Sequence, residues 1–205
     1  KESNGKYLFF SDADIELPAG WINAMLKNLE PNMGVMVGVT AFRNTDFLNA
    51  MQGTEWLMAL TMMKFFSNYK IPTTGMGNNM MVTRKAYESA GGYEKIGFSI
   101  VEDYALYQAI IAQRFDFKHV FEPDIVAYTR PPANFLEQRK RWIKGALESK
   151  SWLIVLGLSQ AFYLPVFILL AIYSPISLGI TNGILLLFYL FIVLFFEKKL
   201  ALKGY

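Results

Sequence analysis

From residue 151 to residue 196 the chain carries no charged side chain, and nothing else in it narrows the architecture as far. Two apolar runs fill that stretch, WLIVLGLSQAFYLPVFILLA over 152–171 and ISLGITNGILLLFYLFIVLFF over 176–196, separated by Ile172, Tyr173, Ser174 and Pro175. A helix needs about 20 apolar residues to cross a hydrocarbon core of about 30 Å, so each run suffices for one span. Buried helices of that length in a soluble domain keep a polar face, and neither run has one. Neither stands at the N-terminus before a cleavage site, which argues against a signal peptide. The expectation is a transmembrane hairpin over 151–197 with a tail at 198–205.

The flanking charges orient it. Arg139, Lys140, Arg141, Lys144 and Lys150 precede the hairpin, Lys198, Lys199 and Lys203 follow it, and the turn has none. Cationic loops stay on the cytoplasmic side, so both ends are expected there; a bacterial inner membrane is the expected location. The formal net charge of +3 reflects these flanks better than a nucleic-acid partner, and no basic, aromatic RNA-binding motif occurs. The absence of cysteine excludes disulfides and thiolate metal sites.

Residues 1–150 mix charged and apolar groups as a globular domain does. A short apolar run at 7–10 fits a buried strand and ends in the polar turn Ser11-Asp12-Ala13-Asp14. Pro18 suits a helix start, and 21–29 has helical spacing. Residues 35–40 read as a strand bounded by Gly34. The Met-rich segment 47–66 resembles a further span, but Gln52, Glu55 and Lys64 interrupt it. A carboxylate at bilayer depth costs several kcal/mol, so a helix against the domain or along the membrane surface is expected, with its methionines as packing. A Gly/Asn loop at 75–79, a strand at 80–83 and a helix at 84–90 closed by Gly91-Gly92 follow. A helix at 103–114, strands at 117–121 and 125–129 and a helix at 134–150 complete the pattern. Irregular alternation of strands and helices favours a mixed α/β sheet.

Three clusters could carry chemistry. Asp12 and Asp14 stand at the carboxyl end of a strand, where open α/β sheets bind ligands. Two carboxylates one residue apart can share a hard divalent cation with substrate phosphates, although an acidic turn before a helix looks the same. Glu102 and Asp103 open a helix, where acidic residues are favoured electrostatically; a general base is the functional alternative. Gln138, Arg141 and Trp142 share one helix face. Arg matches phosphate oxygens and Trp a sugar ring, yet a juxtamembrane basic stretch with an interfacial Trp is equally ordinary. His119, the one histidine, has no neighbouring ligand set and reads as a packed or surface residue.

In order along the chain, D-x-D, the Gly/Asn loop, the E-D helix start and Q-x-x-R-W resemble the family 2 glycosyltransferases, in the membrane-integrated branch with cellulose, chitin and hyaluronan synthases. The likeness covers 3–145, through NGKYLFFSDADIELP, TGMGNNMMVTRKAYESAGGY, VEDYAL and PPANFLEQRKRWIKG. It implies a GT-A-like, Rossmann-like mixed sheet, of which 1–150 is the later part, and inverting transfer of a sugar from a nucleotide diphosphate donor, UDP-linked, to a saccharide or lipid hydroxyl. By position, Asp12 and Asp14 would hold the diphosphate through Mg²⁺ or Mn²⁺. Asp103 would be the base and Glu102 its support, with Gly77 and Asn78 on the acceptor side. Gln138, Arg141 and Trp142 would lie over diphosphate and acceptor.

The sequence departs from the family in having Val101 where the synthases carry Thr before the acidic pair. It opens at Lys1 without the nucleoside-binding strands, so an upstream portion is expected to be missing. Membrane lipids are the other expected partners, and nucleic acid is not one. The rival reading is a catalytically inactive, membrane-anchored binding or assembly subunit, against which the retained carboxylates count.

Overall fold

A computed structural model describes residues 3–43, 46–132, 134–148 and 163–202. A four-stranded sheet organises the domain in the order β1 (Tyr7–Phe10), β4 (Met80–Thr83), β2 (Met33–Val37) and β5 (Asp116–His119). β4 runs antiparallel to β1 and β2, and β2 pairs in parallel with β5. The sheet is therefore mixed, as expected. Successive side chains of a strand point to opposite faces, and β2 and β4 divide accordingly. Val35, Val37, Met80 and Val82 join a core with Leu57, Leu60, Leu106 and Ile110, whereas Met36 and Met81 join Trp21, Met25 and Ile125 on the other side.

The strand expected over 35–40 is two strands. β2 stops at Val37, and β3 (Thr40–Phe42) belongs to a second, parallel pair with β6 (Ala127–Thr129). The cause is Asn79. Its carbonyl accepts the Gly38 N–H at 2.8 Å, and a Cβ on Gly38 would sit 2.3 Å from its Oδ1. The buried amide donates to the carbonyls of Val39 (2.9 Å) and Ile125 (3.0 Å) and accepts from the Trp21 indole at 2.9 Å. One buried side chain thereby ties both sheets to α1 (Trp21–Lys27).

α2 (Phe47–Asn68) is longer than the segment read from sequence and packs on the domain through Leu57 and Leu60. Asp46 caps it by accepting from the Asn49 N–H at 2.9 Å. α3 (Arg84–Ser89) is followed by α4 (Gly92–Ile96), where the sequence suggested only a terminator. Gly91 and Gly92 both adopt positive φ, +83° and +59°, which reverses the chain and restarts a helix. α5 (Glu102–Ala112) and α6 (Phe135–Glu148) fall where expected, and Pro123–Ile125 is a 3₁₀ turn.

Of the first apolar run, residues 152–162 lie outside the described part; its remainder falls in α7 (Tyr163–Tyr173). The second run forms α8 (Pro175–Leu200), long and apolar enough to cross a membrane, with only 6% of its most apolar window buried. The Tyr163 hydroxyl donates to Asn182 at 2.7 Å, pairing the two helices. The far end of α8 differs, since Ile192, Phe196 and Leu200 enter the domain core and Phe196 meets Phe121 edge-to-face at 5.2 Å.

Candidate active site

The loop between α2 and β4 is fixed at both ends. Asn79 holds its far end, as above. At the near end, Thr73 and Thr74 bond three side chains. The Thr73 N–H donates to the Tyr107 hydroxyl (3.4 Å), Gln108 donates to the Thr73 carbonyl (3.4 Å), and His119 Nε2 lies 3.1 Å from the Thr74 carbonyl. A carbonyl only accepts, so His119 carries its proton on Nε2. Burial, opposed by that bond, drives the His119 pKa down to about 4, and the residue is packed rather than exposed.

Between these anchors the loop presses on the first turn of α5. A Cβ on Gly75 would stand 2.9 Å from the Asp103 carbonyl oxygen, and one on Gly77 3.4 Å from the Asp103 Cβ. The Gly77 N–H donates to Asp103 Oδ2 at 2.9 Å, and the Tyr104 N–H donates to Oδ1 at 2.7 Å. Burial pushes the Asp103 carboxyl above its ordinary range; the two amide bonds oppose this and the Glu102 charge adds to it. Asn78 turns the other way and accepts from the Thr40 hydroxyl at 3.1 Å. Tyr93 completes this wall. Burial first, then the Asp103 and Glu102 charges, push its phenol up to about 12.

Asp12 and Asp14 sit in the exposed turn beyond β1, which is pinned to the second sheet. Glu16 exchanges two backbone hydrogen bonds with Tyr128, of 2.8 and 3.0 Å, and its carboxylate pairs with Arg43. Burial raises the Asp12 carboxyl pKa, the charges of Asp14 and Glu102 raise it further, and the Arg141 guanidinium pulls it back. The acidic turn, Glu102 and Arg141, far apart in sequence, therefore lie within electrostatic reach at Asp12. Among the described residues no three His, Asp or Glu side chains gather as a self-sufficient metal site. Asp12 and Asp14 supply two hard oxygens in a carboxylate-crowded place, which suits an Mg²⁺- or Mn²⁺-type cation whose remaining ligands are phosphate and water.

α6 reaches this cluster because Gly145 lets it. A Cβ there would lie 2.7 Å from the Val101 side chain, just before Glu102. Gln138, Arg141, Trp142 and Gly145 recur at the spacing of one helix face, so that face looks onto the acidic helix start. Trp142 stacks on Trp56 of α2 at 5.3 Å. Sequence reasoning singled out Asn78 but missed Asn79, Tyr93 and Trp56. Of these, only Asn79 left a signal, a polar residue immediately before an apolar strand.

A mixed α/β sheet with carboxylates beyond the carboxyl end of a strand fits a GT-A-like domain. Comparison with known families makes this specific: the model of glycosyl transferase family group 2 matches residues 9–197, and the chain belongs to that family. The match runs from within β1 into α8 and includes every residue of the candidate site. A comparison with curated proteins found no match. As a family 2 glycosyltransferase, the chain handles a nucleotide-sugar donor and an acceptor.

Proposed function

We propose that the protein transfers a sugar from a UDP-linked donor, with inversion, to a saccharide or lipid hydroxyl at the cytoplasmic face of a membrane. The observation that carries this reading is Asp103, a partly buried carboxylate oriented by the Gly77 and Tyr104 amides and next in the chain to Glu102, whose charge, like those of Asp14 and Arg141, is felt at Asp12. The acceptor oxygen attacks the anomeric carbon while Asp103 takes its proton, and the bond from that carbon to the diphosphate breaks on the opposite side. The electron pair leaves with the diphosphate, where Arg141 stabilises the developing charge. Asp12 and Asp14 would hold Mg²⁺ or Mn²⁺, which would neutralise part of the diphosphate charge when bound. Glu102 keeps the neighbourhood acidic and supports Asp103 as the base.

Surface chemistry supports the membrane setting. The middle of α8 exposes Ile180, Ile184, Leu187 and Phe191, and α6 turns Leu136, Ile143 and Leu147 outward beside lysines. Basic amphipathic faces of this kind lie in the headgroup region. Asp103→Asn in the enzyme with its membrane segments tests the chemistry. Loss of a positioned general base should slow transfer roughly 10²- to 10⁴-fold, with donor binding retained. Near wild-type turnover in a folded variant would remove Asp103 from this role.

A further inference from the structure

We infer that Trp56 is a positioning residue for the acceptor side of the site, acting through Trp142. This rests on the transfer reading above and names a component that the motifs do not contain. The Trp56 indole is held on three sides. Its Nε1–H donates to the Thr40 carbonyl at 2.7 Å, one neighbouring ring is Phe42 at 6.0 Å and 16°, and the other is Trp142 at 5.3 Å and 26°. Thr40 in turn donates to Asn78 through its hydroxyl at 3.1 Å. A single indole therefore joins β3, the loop that holds Asp103 and the Q-x-x-R-W face of α6.

The adjacent residue strengthens the joint. Glu55 pairs with Arg139 at 2.6 Å, and the Arg139 guanidinium lies 5.4 Å from the centre of the Trp142 ring. Two consecutive residues of α2 thus grip two residues, three apart, on α6. Stacked aromatics resist both tilt and slide, so the column sets the plane of Trp142 relative to Asn78. The donor-side carboxylates take no part in it. Disturbing Trp56 should therefore misplace the acceptor and spare the donor.

The test uses the membrane-embedded enzyme and compares Trp56→Phe with Trp56→Leu. Displacing a reacting group by about 1 Å costs up to about a hundredfold. Trp56→Leu should accordingly cut sugar transfer roughly ten- to a hundredfold and raise the acceptor KM. Hydrolysis of the donor by water should continue at the wild-type rate, and Trp56→Phe should keep most of the transfer. The stacked indole pair should give an excitonic couplet in far-ultraviolet circular dichroism that both variants lose. Should leucine prevent folding, Trp56→Met, closer in volume, gives the same comparison. Unchanged transfer in the non-aromatic variant overturns the inference, as does an equal fall of transfer and hydrolysis in both variants. A wild-type enzyme with the couplet but no transfer defeats the transfer reading; one that transfers sugar without the couplet defeats the stack alone.

Discussion

Asp103 illustrates how one carboxylate can be tuned without a cationic partner. Burial raises its pKa, two backbone amides lower it, and Glu102 raises it again, with burial the largest influence. As the proposed base, Asp103 must be ionised, so activity should be lost as pH falls through this raised value. The acid limb of kcat/KM should lie above the ordinary carboxylate value of 3.8. Removing the Glu102 charge with Glu102→Gln should move that limb to lower pH, and a limb that stayed put or rose would contradict the electrostatics. Asn79 makes a structural prediction at the same scale. Asn79→Ala would leave the Trp21 indole N–H and the Ile125 carbonyl buried without the Asn79 amide, while the Val39 carbonyl keeps its bond from the Ala127 N–H. Each of these two groups costs about 1–3 kcal/mol, so a loss of about 2–6 kcal/mol is expected, read as a large fall in thermal unfolding temperature.

At the scale of elements, the approach of α6 to the start of α5 decides whether a cluster exists at all. Gly145→Leu would push α6 off Val101, whose side chain already stands 2.7 Å from a Cβ at that position. The domain should fold, because its core lies elsewhere, while transfer falls by at least tenfold with the Arg141 displacement. Wild-type transfer in that variant would show that α6 need not sit so close.

Elements also divide what the sequence made legible from what it hid. The helices over 103–114 and 134–150 were readable because their start signals and spacing are local. β2 and β3 were not separable, since the agent that divides them, Asn79, is 40 residues away from Val39 in the chain. α4 was hidden for a local reason: paired glycines read as a stop, and only their positive φ turns the stop into a restart. The motif residues were legible as chemistry, but their mutual placement was not. It depends on close approaches at Gly75, Gly77 and Gly145 that no single segment reveals.

At the scale of the molecule, α8 is two things along one rod. Phe191 is 64% exposed and Phe196 only 4%, because the last turns of the helix enter the domain core. Phe196→Ala should cost about 3–5 kcal/mol, as for other buried phenylalanines, whereas Phe191→Ala should leave stability nearly unchanged. Thermal unfolding of both variants in lipid nanodiscs would decide; equal losses would mean that the end of α8 is not part of the core. A helix fused into a domain in this way is not a tether. On the proposed membrane reading, a bilayer holding α8 would also set the height and heading of the cleft, with none of the swivel that a flexible linker would allow. Substrates would then come to a catalyst of fixed aspect, and the reachable acceptors would be those presented within a thin slab of space beside the membrane.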